Sequence, residues 1–483
     1  MTKIKEYWQV FISLGILACI ALPIFFLFEH TYSPNNLWIR PFGFPMFTIT
    51  CSIILSFILL YIFFSRNYLK TSRFSKIGFI SICIILLMNI VNVLINKRNQ
   101  IVDFELIDGT TTILKISRTT MDKYFSILLT TINFGFIFIL VFVVTLNKHF
   151  KKIIKFFAHL FLIFIIAIII FSLVTEREIY KNILKLGLSS GTAVPDSVFD
   201  NRNTFASFLL TGIIYSLYLY FEAGNKKNRY IYVWFSIIPA IFIYFTYSKT
   251  NIVLVIIMFF LIFMRHYVRN IQRRRWVLFG IETLFIISIL LLFVPFRYIP
   301  SLKILPPSVF LYKILPHNFA FIGQDSIKQR IMLIQITYNT INATPETFLF
   351  GEGTYISRKI YHNSLILHNA IYSLTGFGNY HNGFAEVFHS FGLVGFIIYV
   401  FCILYLFVGI IRLFFYKKEI AFFLIMTFCI FFGRAMLESQ ALLLFKTDPI
   451  FASIPLVLLT VYYVNKYKCS LFHPFKKKAA KAA

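Results

Sequence analysis

Charged residues are scarce in this 483-residue sequence, at 14% of the total, and acidic residues are the scarcer kind, with 19 Asp and Glu against 47 Lys and Arg. So low a charged fraction, beside 59% hydrophobic residues, excludes a soluble globular domain. Cysteine is also rare, and the outer connections identified below contain none. A disulfide framework is therefore not predicted. The cysteines lie in apolar runs or in the tail, at Cys19, Cys51, Cys83, Cys402, Cys429 and Cys469.

Long apolar runs fill most of the chain. About twelve of them are long enough to cross a bilayer as helices. They cover residues 8–28, 44–65, 77–95, 124–146, 153–174, 204–221, 230–247, 251–267, 277–296, 384–411, 420–437 and 448–465. We therefore expect an all-α polytopic membrane protein. The first run follows a basic N-terminus, but it is long for a signal peptide and lacks a small-x-small cleavage site, so we interpret it as a retained span.

The basic residues are concentrated in alternate connections between the runs. These connections, counted from the N-terminus, hold most of the Lys and Arg and only three acids, Glu6, Glu222 and Glu419. This is the positive-inside pattern of a multi-span membrane protein, and it predicts that both termini are cytoplasmic. The net charge of +28 is then explained by topology and lipid contact, and a nucleic-acid partner is not predicted.

The same topology defines four segments of the chain. Residues 1–296 are predicted to form transmembrane helices 1–9, and residues 384–465 transmembrane helices 10–12. Between them, residues 297–383 form a large outer loop with catalytic elements, and residues 466–483 form a basic cytoplasmic tail. A loop of this length is rarely a plain connector. Two shorter outer loops are predicted at 96–123 and 175–203.

The large loop has a helical pattern of its own. Ser326 and Gln329 have the spacing of a capping box. Arg330 lies in the first turns, off the apolar stripe, where it either faces an outer cavity or is a snorkelling surface residue. Pro345 and the turn Gly351-Glu352-Gly353 follow the end of this helix. The stripe consists of Ile327, Ile331, Ile334, Tyr338 and Ile341.

The most informative polar residues come where the large loop meets the tenth span. Asn382 is a favourable N-cap for the helix that follows, so His381 lies beside the positive end of that helix. This field disfavours the imidazolium form, and a neutral imidazole can act as a general base. Glu386 falls in the first turn, where a carboxylate is stabilising. The alternative for His381 is an ordinary loop histidine.

Three further cations lie at predicted outer ends of spans. Arg202 belongs to an Asn-rich opening of the sixth span, and Lys249 lies in the turn between the seventh and eighth. Both are either interfacial anchors or anion contacts. Arg434 lies near the outer end of its span with Glu438 one turn later, as an internal ion pair or an anion contact. A metal site is not predicted, because histidines His362, His368, His381 and His389 lack metal-ligand spacing.

In this order, these elements resemble the O-antigen ligase/polymerase superfamily of bacterial membrane glycosyltransferases. The resemblance covers roughly residues 200–400. It rests on Asn201 to Ser207, Ser248-Lys249-Thr250, Arg330, Pro345, Gly351 and Gly353, and His381-Asn382 with Gly392-Leu393-Val394-Gly395.

The resemblance implies a glycosyltransferase of the C class, without metal or other cofactor, which uses a glycan on undecaprenyl diphosphate at the outer face of the inner membrane. By position, Arg330 would bind the diphosphate and His381 would be the catalytic base. Lys249 would occupy the place of the family's arginine, with loss of the bidentate fork. Arg202 and Arg434 would assist with the diphosphate, and Asn382 and Glu386 would support the base.

Three functions remain open at this point. A polymerase would join repeat units, and a partner that sets chain length is then expected from the resemblance. A ligase would transfer the finished glycan to a lipid A core or a protein. A transporter or flippase of lipid-linked glycan is a different class, disfavoured because few charged residues lie within the spans and no inverted repeat of broken helices is visible.

Overall fold

The fold is given by a computed structural model, which describes part of the chain. The described residues are 99–105, 111–117, 150–186, 193–197, 202–223, 225–272, 341–342, 344–353, 382–437 and 449–467, with scattered positions between 80 and 123.

A two-stranded antiparallel hairpin lies in the predicted outer loop 96–123. Strand β1 covers Asn99–Glu105 and strand β2 covers Thr111–Ser117, with Asn99 opposite Ser117 and Glu105 opposite Thr111. The strands are rich in β-branched residues, and the sequence between them contains the turn-forming pair Asp108-Gly109. This hairpin was not predicted.

The remaining described elements are helices. The first five are α1 (Phe150–Thr175), α2 (Arg177–Leu186), α3 (Arg202–Glu222), α4 (Lys226–Phe245) and α5 (Lys249–Gln272). The others are α6 (Pro345–Phe350), α7 (Gly383–Leu413), α8 (Lys418–Leu437) and α9 (Pro449–Lys466).

Five of these helices are long and apolar enough to cross a membrane: Phe150–Thr175, Arg202–Glu222, Lys249–Val268, Gly383–Leu413 and Lys418–Met436. A sixth apolar helix, Arg229–Phe245, is shorter. The helical, membrane-spanning fold class is therefore confirmed. The predicted spans 8–28, 44–65, 124–146 and 277–296 lie outside the described residues, and so does most of the large loop. The predicted division of the chain into four segments stays a prediction.

The chain forms two compact units. The first contains Met1–Ile163, Ile214–Phe235 and Gln324–Ala483, and the second contains Phe164–Ile213 and Ser236–Gly323. In the first unit, the rings of Tyr218 and Phe221 pack on Phe423 of α8. In the second, Phe164 of α1 packs edge-on against Phe208 of α3.

One end of the first unit is held together by a buried carboxylate. Glu222, the last residue of α3, forms an ion pair with Lys151 of α1 and accepts a hydrogen bond from the hydroxyl of Tyr463 of α9. The charge pattern assigns all three helix ends to the cytoplasmic side.

Candidate functional site

Two of the predicted diphosphate-binding residues open neighbouring helices of the second unit. Arg202 is the first residue of α3 and Lys249 the first residue of α5, and both side chains are exposed. The residues beside them are directly bonded: the Ser248 hydroxyl donates to Oδ1 of Asn203 over 2.8 Å. The structure therefore brings the starts of α3 and α5 together, with a cation next to each bonded residue.

The short turn between α4 and α5 sets the position of Lys249. Tyr247 adopts a left-handed backbone conformation with φ 51°, which is uncommon for a bulky residue and indicates a constrained turn. Its ring packs in a small apolar cluster with Ile183 of α2. The Lys249 ammonium lies 5.8 Å from the centre of the Tyr247 ring, within cation–π range. The Lys249 ammonium thus lies next to an aromatic ring that is held in place by packing.

The segment that precedes α3 is anchored by Glu176, between α1 and α2. One carboxylate oxygen of Glu176 accepts the backbone amides of Asp196 and Ser197 at 2.9 and 3.0 Å. The other accepts the hydroxyl of Ser172, which also bonds to the Tyr180 hydroxyl at 2.7 Å. Burial raises the pKa of Tyr180, so this phenol stays protonated. These bonds fix part of the predicted outer loop 175–203 close to the start of α3.

In the first unit, the predicted helix start at Asn382 is confirmed. Asn382 has extended backbone angles, and its side-chain oxygen accepts the amide of Ala385 at 2.9 Å, as an N-cap does. Glu386 lies in the first turn, as predicted, and is only 2% exposed. His381 lies outside the described residues, immediately before this cap.

The helix that begins at Asn382 is interrupted one-third of the way along. Gly392 has φ 64° and ψ −169°, outside the helical region, so the predicted single span 384–411 is two helical parts joined at Gly392. The break leaves carbonyls without partners in the helix. The amides of Glu352 and Gly353 donate to the carbonyls of His389 and Ser390 at 2.8 and 2.9 Å, which satisfies them.

The contact at the break requires glycine on both sides. Gly351 has φ 76°, and a Cβ placed on it would lie 2.4 Å from the amide nitrogen of Phe391. A Cβ on Gly392 would lie 2.4 Å from the carbonyl carbon of Leu349. Two backbones therefore touch without side chains between them. This explains Gly351 and Gly392 of the predicted motifs in terms of packing.

A short helix that the sequence reasoning missed leads into this contact. Pro345 comes after the predicted helix that includes Ile341, and it is itself in the first turn of α6, where proline is favoured. Thr344 caps α6 in a reciprocal arrangement with Thr347, and the Thr347 hydroxyl also donates to the carbonyl of Ile341 at 2.7 Å. The pattern Thr-Pro-Glu was an available N-terminal signal.

Arg434 is buried in the first unit, with 2% of its surface exposed. It lies in the last turn of α8, and the amide group of Asn382 donates to the carbonyl of Met436 in that turn over 3.3 Å. The end of α8 that carries Arg434 therefore contacts the cap of α7. Glu438, its predicted partner, lies outside the described residues.

The predicted site residues are thus found in separate groups. In the second unit, α3 begins with Arg202 and α5 with Lys249, and a hydrogen bond connects the starts of these helices. In the first unit, the start of α7 is surrounded by Asn382, Glu386 and Arg434. Arg330 lies outside the described residues, as does His381. The hydrogen bond between Asn203 and Ser248 was not predicted, although Asn203 belongs to the Asn-rich opening of the sixth span and Ser248 to the Ser-Lys-Thr turn.

Comparison with known proteins found a similar family. The model of the O-antigen ligase family matches residues 234–400. No curated protein matches the chain significantly. The matched region begins in α4 and ends in α7, and it includes Lys249, Gly351, Asn382 and Gly392, whereas Arg202 and Arg434 lie outside it.

This match indicates a membrane glycosyltransferase of the O-antigen ligase or polymerase type. The match of residues 234–400 to this family model supports membership of the chain in the superfamily of O-antigen ligases and polymerases.

Proposed function

We propose that the protein is an inner-membrane glycosyltransferase that polymerises polysaccharide repeat units. The donor is a glycan on undecaprenyl diphosphate, and the acceptor is a sugar hydroxyl of another lipid-linked glycan at the outer face. The O-antigen ligase domain at 234–400 and the apolar helices support this proposal. Both termini are proposed to be cytoplasmic, and a chain-length regulator is a proposed partner.

The observation that carries the proposal is the bonded pair of helix starts in the second unit. Arg202 and Lys249 add two positive charges at two helix N-termini, an arrangement that favours anions. A diphosphate leaving group gains negative charge as the anomeric bond breaks. Cations already held in place stabilise that charge in the transition state. We assign the diphosphate to Arg202 and Lys249, and the diphosphate-binding roles of Arg330 and Arg434 stay predictions from the sequence.

The proton of the acceptor hydroxyl goes to His381. In a single displacement, the acceptor oxygen forms a bond to the anomeric carbon while the bond from that carbon to the diphosphate oxygen breaks. The anomeric configuration is inverted, and undecaprenyl diphosphate leaves with the electron pair. In the sequence, His381 directly precedes the N-cap Asn382, next to the positive end of α7, which favours the neutral imidazole that a general base needs. No metal is required by this scheme.

A ligase is the second candidate, since the matching family is described as O-antigen ligase. In that reaction the same donor would be used, and the acceptor would be a lipid A core or a protein. The residues assigned above would keep their roles.

Complementation of two strains separates these functions. One strain lacks its polysaccharide polymerase and the other its O-antigen ligase, and the polysaccharide ladder is read on a gel. We expect long chains to return in the first strain only. Restored attachment in the second strain alone would identify a ligase. Failure in both would favour transport, provided that the protein accumulates in the membrane.

The site assignment is tested with the same ladder. His381→Ala and Arg330→Ala are expected to abolish chain growth at normal protein levels. His389→Ala is an imperfect control because His389 is buried in α7, so the exposed His266→Ala serves as the matched histidine variant. If both site variants produced wild-type ladders, the assignment would be wrong.

A further inference from the structure

A chain of side-chain hydrogen bonds is buried where α3 and α5 begin. The side-chain nitrogen Nδ2 of Asn251 donates to the Ser248 hydroxyl at 2.9 Å, and that hydroxyl donates to Oδ1 of Asn203 at 2.8 Å. Ser248 and Asn251 are each 1% exposed. The bond between Ser248 and Asn203 joins residues 45 positions apart in sequence. The network therefore connects two helices that local sequence does not bring together.

Three nearby buried hydroxyls are satisfied within their own helix or turn. Ser207 donates to the carbonyl of Asn203, Thr211 to that of Ser207, and Thr246 to that of Ile243. Such bonds leave neighbouring helices free to shift. Among the hydroxyls of this region that the structure describes, Ser248 differs because its partners lie on α3 and α5 at once.

A network of this kind is sensitive to geometry. A buried polar group that loses its partner pays the full cost of desolvation, so small relative movements of the two helix starts are strongly disfavoured. The residues that such movements would carry along are Arg202, next to Asn203, and Lys249, next to Ser248. The hydrogen bonds thus limit the spacing of two exposed cations.

We propose that Asn203, Ser248 and Asn251 are positioning residues that fix the spacing of Arg202 and Lys249 for binding a diphosphate. This rests on the function proposed above, which places a diphosphate at the two cations. The three residues do not touch the ligand. They act through the cations, because a pair of charges binds a diphosphate best when the spacing is set before the ligand arrives.

The test measures binding of undecaprenyl diphosphate to the purified full-length protein in nanodiscs, with inorganic pyrophosphate as a second probe. We expect Ser248→Ala to weaken binding about tenfold, equivalent to ~1.4 kcal/mol. Asn203→Ala, at a partly exposed position, should act in the same direction and serves if Ser248→Ala does not fold. Ser248→Thr keeps the hydroxyl and should restore most of the affinity. Thr211→Ala removes a buried hydroxyl bonded within α3, and should leave binding unchanged.

A purely structural role is separated from positioning by removing the cations. In the double variant Arg202→Ala/Lys249→Ala, a further Ser248→Ala change should cause no additional loss of affinity, since there is nothing left to position. An equal loss in both backgrounds would overturn the proposal. So would wild-type affinity in Ser248→Ala and Asn203→Ala, or a wild-type protein that binds neither probe.

The same samples are assayed for glycan transfer, which separates this inference from the proposed function. A wild-type protein that binds undecaprenyl diphosphate with the expected variant pattern but transfers no glycan contradicts the proposed reaction and leaves the positioning role supported. A protein that transfers glycan while Ser248→Ala and Asn203→Ala retain full affinity contradicts the positioning role alone.

Discussion

Replacement of Gly392 by alanine should destabilise the protein strongly. The residue has φ 64° and ψ −169°, a region that residues with a Cβ avoid, and holding alanine there costs about 1–3 kcal/mol. The new Cβ would also lie 2.4 Å from backbone atoms of Leu349 and Phe350. Since backbone cannot rotate away as a side chain does, the clash adds ~1–3 kcal/mol. The expected total is roughly 2–6 kcal/mol.

Gly409→Ala is the matched control because it lies in the same helix. Its backbone is helical, and the nearest atom to a new Cβ is a methyl carbon of Val464 at 2.9 Å, which can move. The two substitutions have the same effect on the unfolded chain, so their difference reports the native structure. We expect Gly409→Ala to change stability by less than about 1 kcal/mol.

The assay is thermal unfolding in detergent at one fixed scan rate, since membrane proteins often unfold irreversibly. Taking roughly 2 °C per kcal/mol for a large chain, Gly392→Ala should unfold at least ~4 °C below the wild type. Equal unfolding temperatures for Gly392→Ala and Gly409→Ala would refute the backbone contact between Gly351 and Gly392.

Three other changes test separate contacts. Glu222→Gln removes the charge paired with Lys151, so it should reduce the free energy of unfolding by about 1–2 kcal/mol and lower the unfolding temperature. Glu178→Gln, in an exposed ion pair, should leave the unfolding temperature unchanged. Equal effects of the two substitutions would contradict a contribution from burial of Glu222. Asn382→Ala should cost ~1 kcal/mol and slow glycan transfer, whereas Asn382→Asp, which keeps the cap to Ala385 but cannot donate to the Met436 carbonyl, should lose less of each; a silent Asn382→Ala would argue against the cap. Glu176→Ala should speed hydrogen exchange at the amides of Asp196 and Ser197, measured by mass spectrometry, and unchanged protection would show that the carboxylate does not hold them.

Features that depend on a few neighbouring residues were predictable from the sequence. The N-cap at Asn382 and the carboxylate of Glu386 in the first turn require only residues within four positions of each other, so their pattern was sufficient. The apolar runs predicted the long helices for the same reason: each span satisfies its backbone hydrogen bonds internally.

The break at Gly392 could not be predicted in this way. After Ser390 the span continues to residue 411 without a charged residue, and the partners that stabilise the break come from Glu352 and Gly353, in a different segment. A Gly-x-x-Gly pattern alone is equally typical of close helix packing. The hydrogen bond between Asn203 and Ser248 could not be predicted for the same reason, because it joins two motifs whose contact depends on the tertiary fold.

Both described parts of the candidate site use the same construction. In each, the side-chain oxygen of an asparagine at a helix start accepts a hydrogen bond, and the asparagine is next in sequence to a residue assigned to the proposed reaction: Asn203 beside Arg202, and Asn382 beside His381. A helix start provides amides that tolerate negative charge, and a neutral amide side chain can fix its geometry without adding a competing charge. An aspartate at position 203 would bring a carboxylate next to the proposed diphosphate and weaken the attraction of Arg202 and Lys249 for it. Asparagine at this position thus suits the proposed diphosphate as well as the hydrogen bond from Ser248.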